Sequence, residues 1–250
     1  MTNDPARRTR RMQSNDQHTL MVADHGIDPA PMPDPGNGIA HGAVNADRAA
    51  RNAFWHDIIV WCGIPILIVL FVRIFLIGCY VIPSGSMLNT IAPGDKVVTV
   101  KTAPWYSQLE RGDIVVFKDP ANWLPNEESR GLGGDYLIKR LIGLPGDVVE
   151  CAGKGQPITV NGTPIDESAY LRAGVDPSAF PFRVEVTAGH AFVMGDNRAN
   201  SADSRYHQDD GEHGLVPIDD IVGVAFARYW PITRISTLDS HHDVFAGVSR

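Results

Sequence analysis

Ser86 and Lys139 are the two side chains whose types and surroundings could together break a covalent bond. A serine hydroxyl is a weak nucleophile until a base removes its proton. Histidine is the usual base. Lysine serves when its amine is kept neutral, and burial can bring a lysine pKa down to about 5–6. The mark of such a lysine is a place inside an apolar strand, away from acidic partners. Lys139 has that setting: Tyr136, Leu137 and Ile138 precede it, and Leu141 and Ile142 follow Arg140. Strand alternation turns Lys139 and Arg140 to opposite faces. Either one of them points inward, or the strand lies at an edge with both groups solvated. Ser86 sits in Pro83-Ser84-Gly85-Ser86-Met87, where two serines flank a glycine. Small residues let a peptide backbone approach closely, and a second hydroxyl could donate to an oxyanion. Taken alone, the same five residues read as a turn.

The elements that must position these groups begin with the run Ile58 to Ile82, which holds one charge, Arg73. A bilayer-spanning helix needs about 20 mainly apolar residues. A core helix of this length would show polar positions at every turn. Trp55 and Trp61 near one end and Tyr80 near the other suit interfacial aromatics. Pro65 is tolerable in a membrane helix, and Arg73 can snorkel to the headgroups. The expected span is residues 54–76, with Ile74 to Ile82 leaving the membrane as a strand. A cleaved leader would lie nearer the start and be followed by a small-residue cleavage site. Arg48 and Arg51 just before the span, with four more Arg upstream, favour a cytoplasmic N-terminus.

Residues 1–53 are rich in Asp, Asn, Gly, Pro, Ala and Arg without apolar periodicity, and read as a disordered tail. From residue 83 the pattern changes to short β-like runs: 96–101, 113–117, 136–142, 147–151, 158–160, 182–186, 190–194 and 221–229. Gly-Asp pairs punctuate them, and Asn161-Gly162 is a hairpin signal. Short strands between Gly and Pro turns imply a mainly β, antiparallel domain over residues 77–236. Residues 122–134 and 206–214 read as polar loops, and residues 237–250, with His241-His242, as a flexible end.

The formal net charge is −7, and all of it lies in residues 83–250, with 15 basic and 22 acidic groups. An acidic globular part excludes the basic face that nucleic-acid binding needs. Of three cysteines only Cys151 falls in that part, so it holds no internal disulfide, and no C-x-x-C spacing points to zinc or thiol redox chemistry. His207, Asp209, Asp210, Glu212 and His213 crowd one loop, but their spacing matches no metal-ligand pattern.

Together these segments resemble the bacterial type I signal peptidase family, in four motifs taken in the family's order. Pro83 to Ile91 is similar to P-S-x-S-M-x-P-T-L. Gly94 to Lys101 is similar to G-D-x-V-x-V-x-K. Arg111 to Phe117 and Lys139 to Asp147 are similar to R-G-D-I-V-V-F and K-R-x-x-G-x-P-G-D. Gly195 to Arg205 is similar to G-D-N-x-x-x-S-x-D-S-R. The likeness covers roughly residues 70–230. Asn89 stands where the family usually has proline, and the globular cysteine pair of some relatives is absent.

The resemblance implies roles, residue by residue. Ser86 aligns with the nucleophile and Lys139 with the general base. Ser84 aligns with an oxyanion donor and Ser201 with a residue that orients the lysine. Arg140, Asp196, Asp203 and Arg205 align with supporting positions, and Met87 with the lining of the substrate pocket. It further implies a membrane-bound serine endopeptidase on the extracytoplasmic face of a bacterial plasma membrane. Its substrates are preproteins, cut after small residues such as Ala-x-Ala through an acyl-enzyme, with no metal or cofactor. A self-cleaving Ser-Lys protease of the LexA type is the alternative within the enzymes. A membrane-anchored β-domain that binds without cutting is the alternative outside them.

Overall fold

The computed structural model describes residues 48, 51–101, 109–123, 135–172 and 174–249. The expected tail lies outside them except for Arg48 and residues 51–53, and so does most of the loop 122–134. Two units divide the chain, Met1–His56 and Asp57–Arg250. Of the first, the described residues Arg48 and Arg51–His56 are helical.

Helix α1 runs Arg51–Leu76, 26 residues long and apolar enough to cross a membrane, with its side chains unburied. The winding is uneven. Ile64–Phe71 is α-helical, and Ile59–Gly63 and Val72–Leu76 take wider π-type turns. Pro65 has no N–H to return to the carbonyl four residues earlier, which fits a loosened turn just before it. The helix passes directly into strand β1, Ile77–Val81, three residues later than the strand expected from Ile74, and Arg73 Nη1 donates to the Ile77 carbonyl at 2.9 Å across the junction.

Among the described residues eleven further strands follow: β2 (Lys96–Val100), β3 (Ile114–Lys118), β4 (Tyr136–Gly143), β5 (Val148–Cys151), β6 (Thr159–Val160), β7 (Thr163–Pro164), β8 (Phe182–Glu185), β9 (His190–Met194), β10 (Val216–Pro217), β11 (Ile221–Trp230) and β12 (Ser236–Thr237). Among the described residues the large sheet has the order β1-β2-β11-β3-β4-β9-β10 with β12 on β11, and the small sheet β7-β6-β5-β8. Every pairing is antiparallel. The Asn161-Gly162 signal is answered by the β6–β7 hairpin, with both residues at positive φ, 52° and 78°. The large sheet curls enough that Tyr80 on its end strand meets Tyr136 on β4, ring centroids 5.4 Å apart.

Strand alternation sorts the core. Val115, Phe117, Leu137, Leu141 and Val193 pack on one face of the large sheet. Ile114, Val116 and Ile138 pack on the other with Ile82, Met87, Ile91 and Val97. A third cluster joins Ile142 and Phe192 to the small sheet.

The C-terminal segment differs from the flexible end expected of it. Phe245 and Val248 are buried in that third cluster. His242 Nε2 lies 2.9 Å from an Asp113 carboxylate oxygen, and the Ser249 carbonyl accepts from Asn161 Nδ2 at 3.0 Å. The short apolar stretch Val244-Phe245-Ala246-Gly247-Val248 follows Asp239 to Asp243 and is too brief to show a strand or helix period, so the sequence hides this docking.

Candidate active site

β4 pairs with β3 over Tyr136 to Arg140 and with β9 over Arg140 to Gly143, and burial decides between the alternatives left open for Lys139 and Arg140. Val115 pairs with Lys139, Ile114 with Arg140, and Arg140 in turn with Met194. Both residues are buried, Lys139 at 4% exposure and Arg140 at 0%. They are therefore not a solvated edge pair, and they are satisfied in opposite ways.

Lys139 reaches the turn that follows β1. Its Nζ donates to Ser86 Oγ at 2.7 Å, and it forms no ion pair among the described residues. Burial lowers its pKa from 10.5 to about 8, against the opposing pull of Asp203 and Asp196. At pH 7 a pKa of 8 leaves about a tenth of the amine neutral, several hundred times the fraction of an ordinary lysine. Ser86 is 6% exposed, and Ser84 Oγ lies 3.4 Å from its hydroxyl.

Arg140 is enclosed by acceptors. Nε and Nη2 bind the two Asp196 oxygens at 2.8 and 2.9 Å. Nη1 donates to the carbonyls of Gly112, Ser240 and Asp239 at 2.8, 3.0 and 3.3 Å. A charge this deep is tolerable only when paired and fully hydrogen-bonded. Asp196 also accepts from Thr90 Oγ1 at 2.5 Å, which ties the pair to the end of the Ser86 turn.

Gly195-Asp196-Asn197 joins β9 to the Ser86 turn. Asn197 N–H donates to the Ser86 carbonyl at 2.9 Å, and Asn197 Nδ2 to the Gly85 carbonyl at 2.9 Å. Only glycine fits at 195, because a Cβ there would lie 2.5 Å from the Ser86 carbonyl oxygen and 2.3 Å from Ser201 Oγ. Gly195 N–H donates to Asp203 at 3.0 Å, and Asp203 is held by Arg205 through contacts of 2.8 and 2.9 Å. Burial alone would raise the Asp203 pKa, but the Arg205 guanidinium outweighs it and holds the carboxyl below its ordinary value.

Two expected placements differ. Ser201 is buried beside Asp203, which it helps keep ionised. Its Oγ nevertheless makes no well-formed hydrogen bond among the described residues, so it does not hold Lys139 directly. Met87 is wholly buried against Ile82, Ile91 and Val97, not open to an empty pocket. Asn89 is exposed in the turn beyond Ser86. The crowded loop is braced from outside: Asp210 accepts from Trp123 Nε1 at 2.7 Å, His207 stacks on Trp123, and Glu212 faces His190 at 3.2 Å. Glu167, Tyr170, Asn197 and Arg198 are buried polar partners of the site that sequence reasoning missed. Asn197 and Arg198 lie inside one of the four motifs, while Glu167 and Tyr170 have no local signal.

Comparison with known proteins gives the family of the chain. The family described as "Signal peptidase, peptidase S26" matches residues 55–230. The signal peptidase I of Leptolyngbya laminosa is 35% identical over 176 residues, covering 70% of this chain and 80% of that protein. The signal peptidase I of Mycobacterium tuberculosis is 28% identical over 253 residues, covering 83% of each. A probable thylakoidal processing peptidase 2 of Arabidopsis thaliana is 35% identical, covering 65% of this chain and 41% of that protein. The chain thus belongs to the signal peptidase family, peptidase S26, the serine endopeptidases that remove signal peptides from preproteins, and it is anchored in a membrane through helix α1.

Proposed function

We propose that Ser86 is the nucleophile and Lys139 the general base. The observation that carries this reading is the 2.7 Å contact between the Ser86 hydroxyl and a buried lysine amine that forms no ion pair among the described residues. The neutral amine of Lys139 takes the Ser86 proton as Oγ attacks the carbonyl carbon of the scissile peptide. Ser84 Oγ–H and the Ser86 N–H donate to the oxyanion. The ammonium of Lys139 returns the proton to the leaving amine, the mature protein departs, and the leader remains as an ester on Ser86. Lys139 then takes a proton from water as the water oxygen attacks the ester carbonyl; the bond from the leader to Ser86 Oγ breaks, and the Lys139 ammonium returns the proton to Oγ, restoring serine and neutral amine. Asp196, Asp203, Arg140 and Arg205 hold the two strands and the turn in register. Ser201 acts through Asp203, and Met87 forms the floor beneath the Ser86 turn.

The preprotein binds as an added strand. Among the described residues the half of β4 from Tyr136 to Lys139 pairs with β3 alone, because β9 begins its pairing at Arg140. That leaves a free backbone edge beside the lysine. Small residues at positions one and three before the cut let the strand lie close. Residues 1–53 form a cytoplasmic tail, 54–76 span a bacterial plasma membrane, and the domain from 77 onward works on the outer face. The arginines before the span support this orientation.

The test is cleavage of a leader-bearing preprotein by the full chain in lipid vesicles, with sequencing of the new N-terminus. Cleavage after an Ala-x-Ala segment is expected, lost when the residue before the cut becomes bulky. Cutting that ignores those residues would overturn the specificity.

A further inference from the structure

The segment between β7 and β8, which the family motifs do not include, sends two side chains into the region behind the catalytic strand. Tyr170 lies with its ring over the Arg140 guanidinium, 4.1 Å from Arg140 Cζ to the ring centroid. Its hydroxyl donates to Glu167 Oε1 at 2.8 Å. Glu167 is in turn paired with Arg198, through Nη1 at 2.8 Å and through a second contact from Nη2. Arg198 Nε donates to the Gly195 carbonyl at 3.0 Å, and its own carbonyl accepts from Arg205 Nη2 at 3.1 Å. Tyr170, Glu167 and Arg198 are all buried. The His241 ring also lies against Tyr170, with centroids 5.7 Å apart.

We propose that Tyr170 is a positioning residue of the peptidase: its ring closes the open face of the Arg140 cage and so holds Asp196, Asn197 and the Ser86 turn in place. The path is short and continuous. Arg140 is fixed in its plane by Asp196 and by three carbonyls, but hydrogen bonds in the plane leave its faces free, and an aromatic ring is the natural cover for one of them. Asp196 holds Thr90, and the next residue, Asn197, holds the carbonyls of Gly85 and Ser86. A guanidinium that tilts carries Asp196 with it, and the nucleophile turn follows. Glu167 sets the ring's orientation through the tyrosine hydroxyl and ties the same segment to Gly195 through Arg198. The small sheet is thereby a buttress of the catalytic centre, coupled to it by these side chains.

The inference rests on the Ser86–Lys139 reading, and the experiment separates the two. Steady-state kinetics of the full-length chain in detergent are measured with a leader-bearing preprotein for Tyr170→Leu, Tyr170→Phe and Ser86→Ala. Each protein is assayed well below its own melting temperature. Tyr170→Leu is expected to lower kcat by about tenfold or more with KM within about twofold, the pattern of a misplaced catalytic group. Tyr170→Phe keeps the ring and is expected to stay within about threefold of the parent kcat. If Tyr170→Leu does not fold, Tyr170→Met fills more of the volume without a π face and reads the same quantity. Parental kcat in the variant without a ring overturns the inference, and so does an equal loss in Tyr170→Phe. An active Ser86→Ala enzyme would instead overturn the reading beneath it.

Discussion

Asn197 grips the Ser86 carbonyl from 2.9 Å through its backbone N–H, while its side-chain amide holds the neighbouring Gly85 carbonyl at the same distance. A nucleophile on a turn is only as well placed as the turn, and this turn is held at its back by β9's extension. Asn197→Ala keeps the backbone bond and loses the amide. It is expected to lower kcat by about 10- to 100-fold with little change in KM, since misplacement on the order of 1 Å can cost that much. Preprotein cleavage kinetics check it. A parental kcat would mean that the turn is rigid without the clamp.

The pH dependence follows from Lys139. Burial brings its pKa to about 8, and as the proposed base it must be neutral to accept the serine proton. The rate is therefore expected to rise tenfold per unit as pH climbs toward 8 and to level above it. A profile of kcat/KM measured with soluble peptide substrate tests this. A plateau already reached at pH 6 would contradict it.

The same lowered pKa carries a stability penalty, with a definite sign. A lysine whose folded pKa is below its unfolded value binds fewer protons when folded. Stability therefore rises as pH climbs from about 8 to 10.5, and is held down below that window. Lys139→Met removes the penalty. The variant is expected to be inactive and yet more stable by about 1–3 kcal/mol at pH 7. Denaturant unfolding checks it. Lower stability than the parent would show that the Ser86 contact outweighs the burial of the charge.

Removal of the segment after Thr237 is expected to destabilise the domain strongly. It takes away the Asp239 and Ser240 carbonyls from Arg140 and the buried side chains of Phe245 and Val248. Each of those apolar side chains contributes about 1.5–3 kcal/mol when buried. Thermal unfolding of the truncated chain should show a fall of about ten degrees or more, at about 2–4 °C for each kcal/mol in a domain of this size. An unchanged melting curve would return the segment to the flexible end that its composition suggests.

Much of this site is legible in the amino-acid sequence. Helix α1 announces itself by an apolar run with one charge, β4 by a lysine among apolar neighbours, and the hairpin at Asn161-Gly162 by its turn chemistry. Ser86 and Lys139 gain weight from their company in four ordered motifs. The groups that support them are not readable, for a physical reason. Glu167, Tyr170, Phe245 and Val248 act through contacts across the sheets, and each sits in a stretch whose local pattern is that of a loop. Arg140 is ambiguous for the same reason. Only the packing around β4 shows that this neighbouring Lys-Arg pair is buried on both faces, Arg140 chelated by Asp196 and three carbonyls and Lys139 directed to Ser86.

The most direct measurement compares kcat/KM for preprotein cleavage by the parent chain, Ser86→Ala and Lys139→Ala, each confirmed folded by circular dichroism. A loss of about 10⁴-fold or more in both variants, with no further loss when they are combined, is the result expected of a pair acting as one unit. Cleavage at the parental rate by either folded variant would contradict the account.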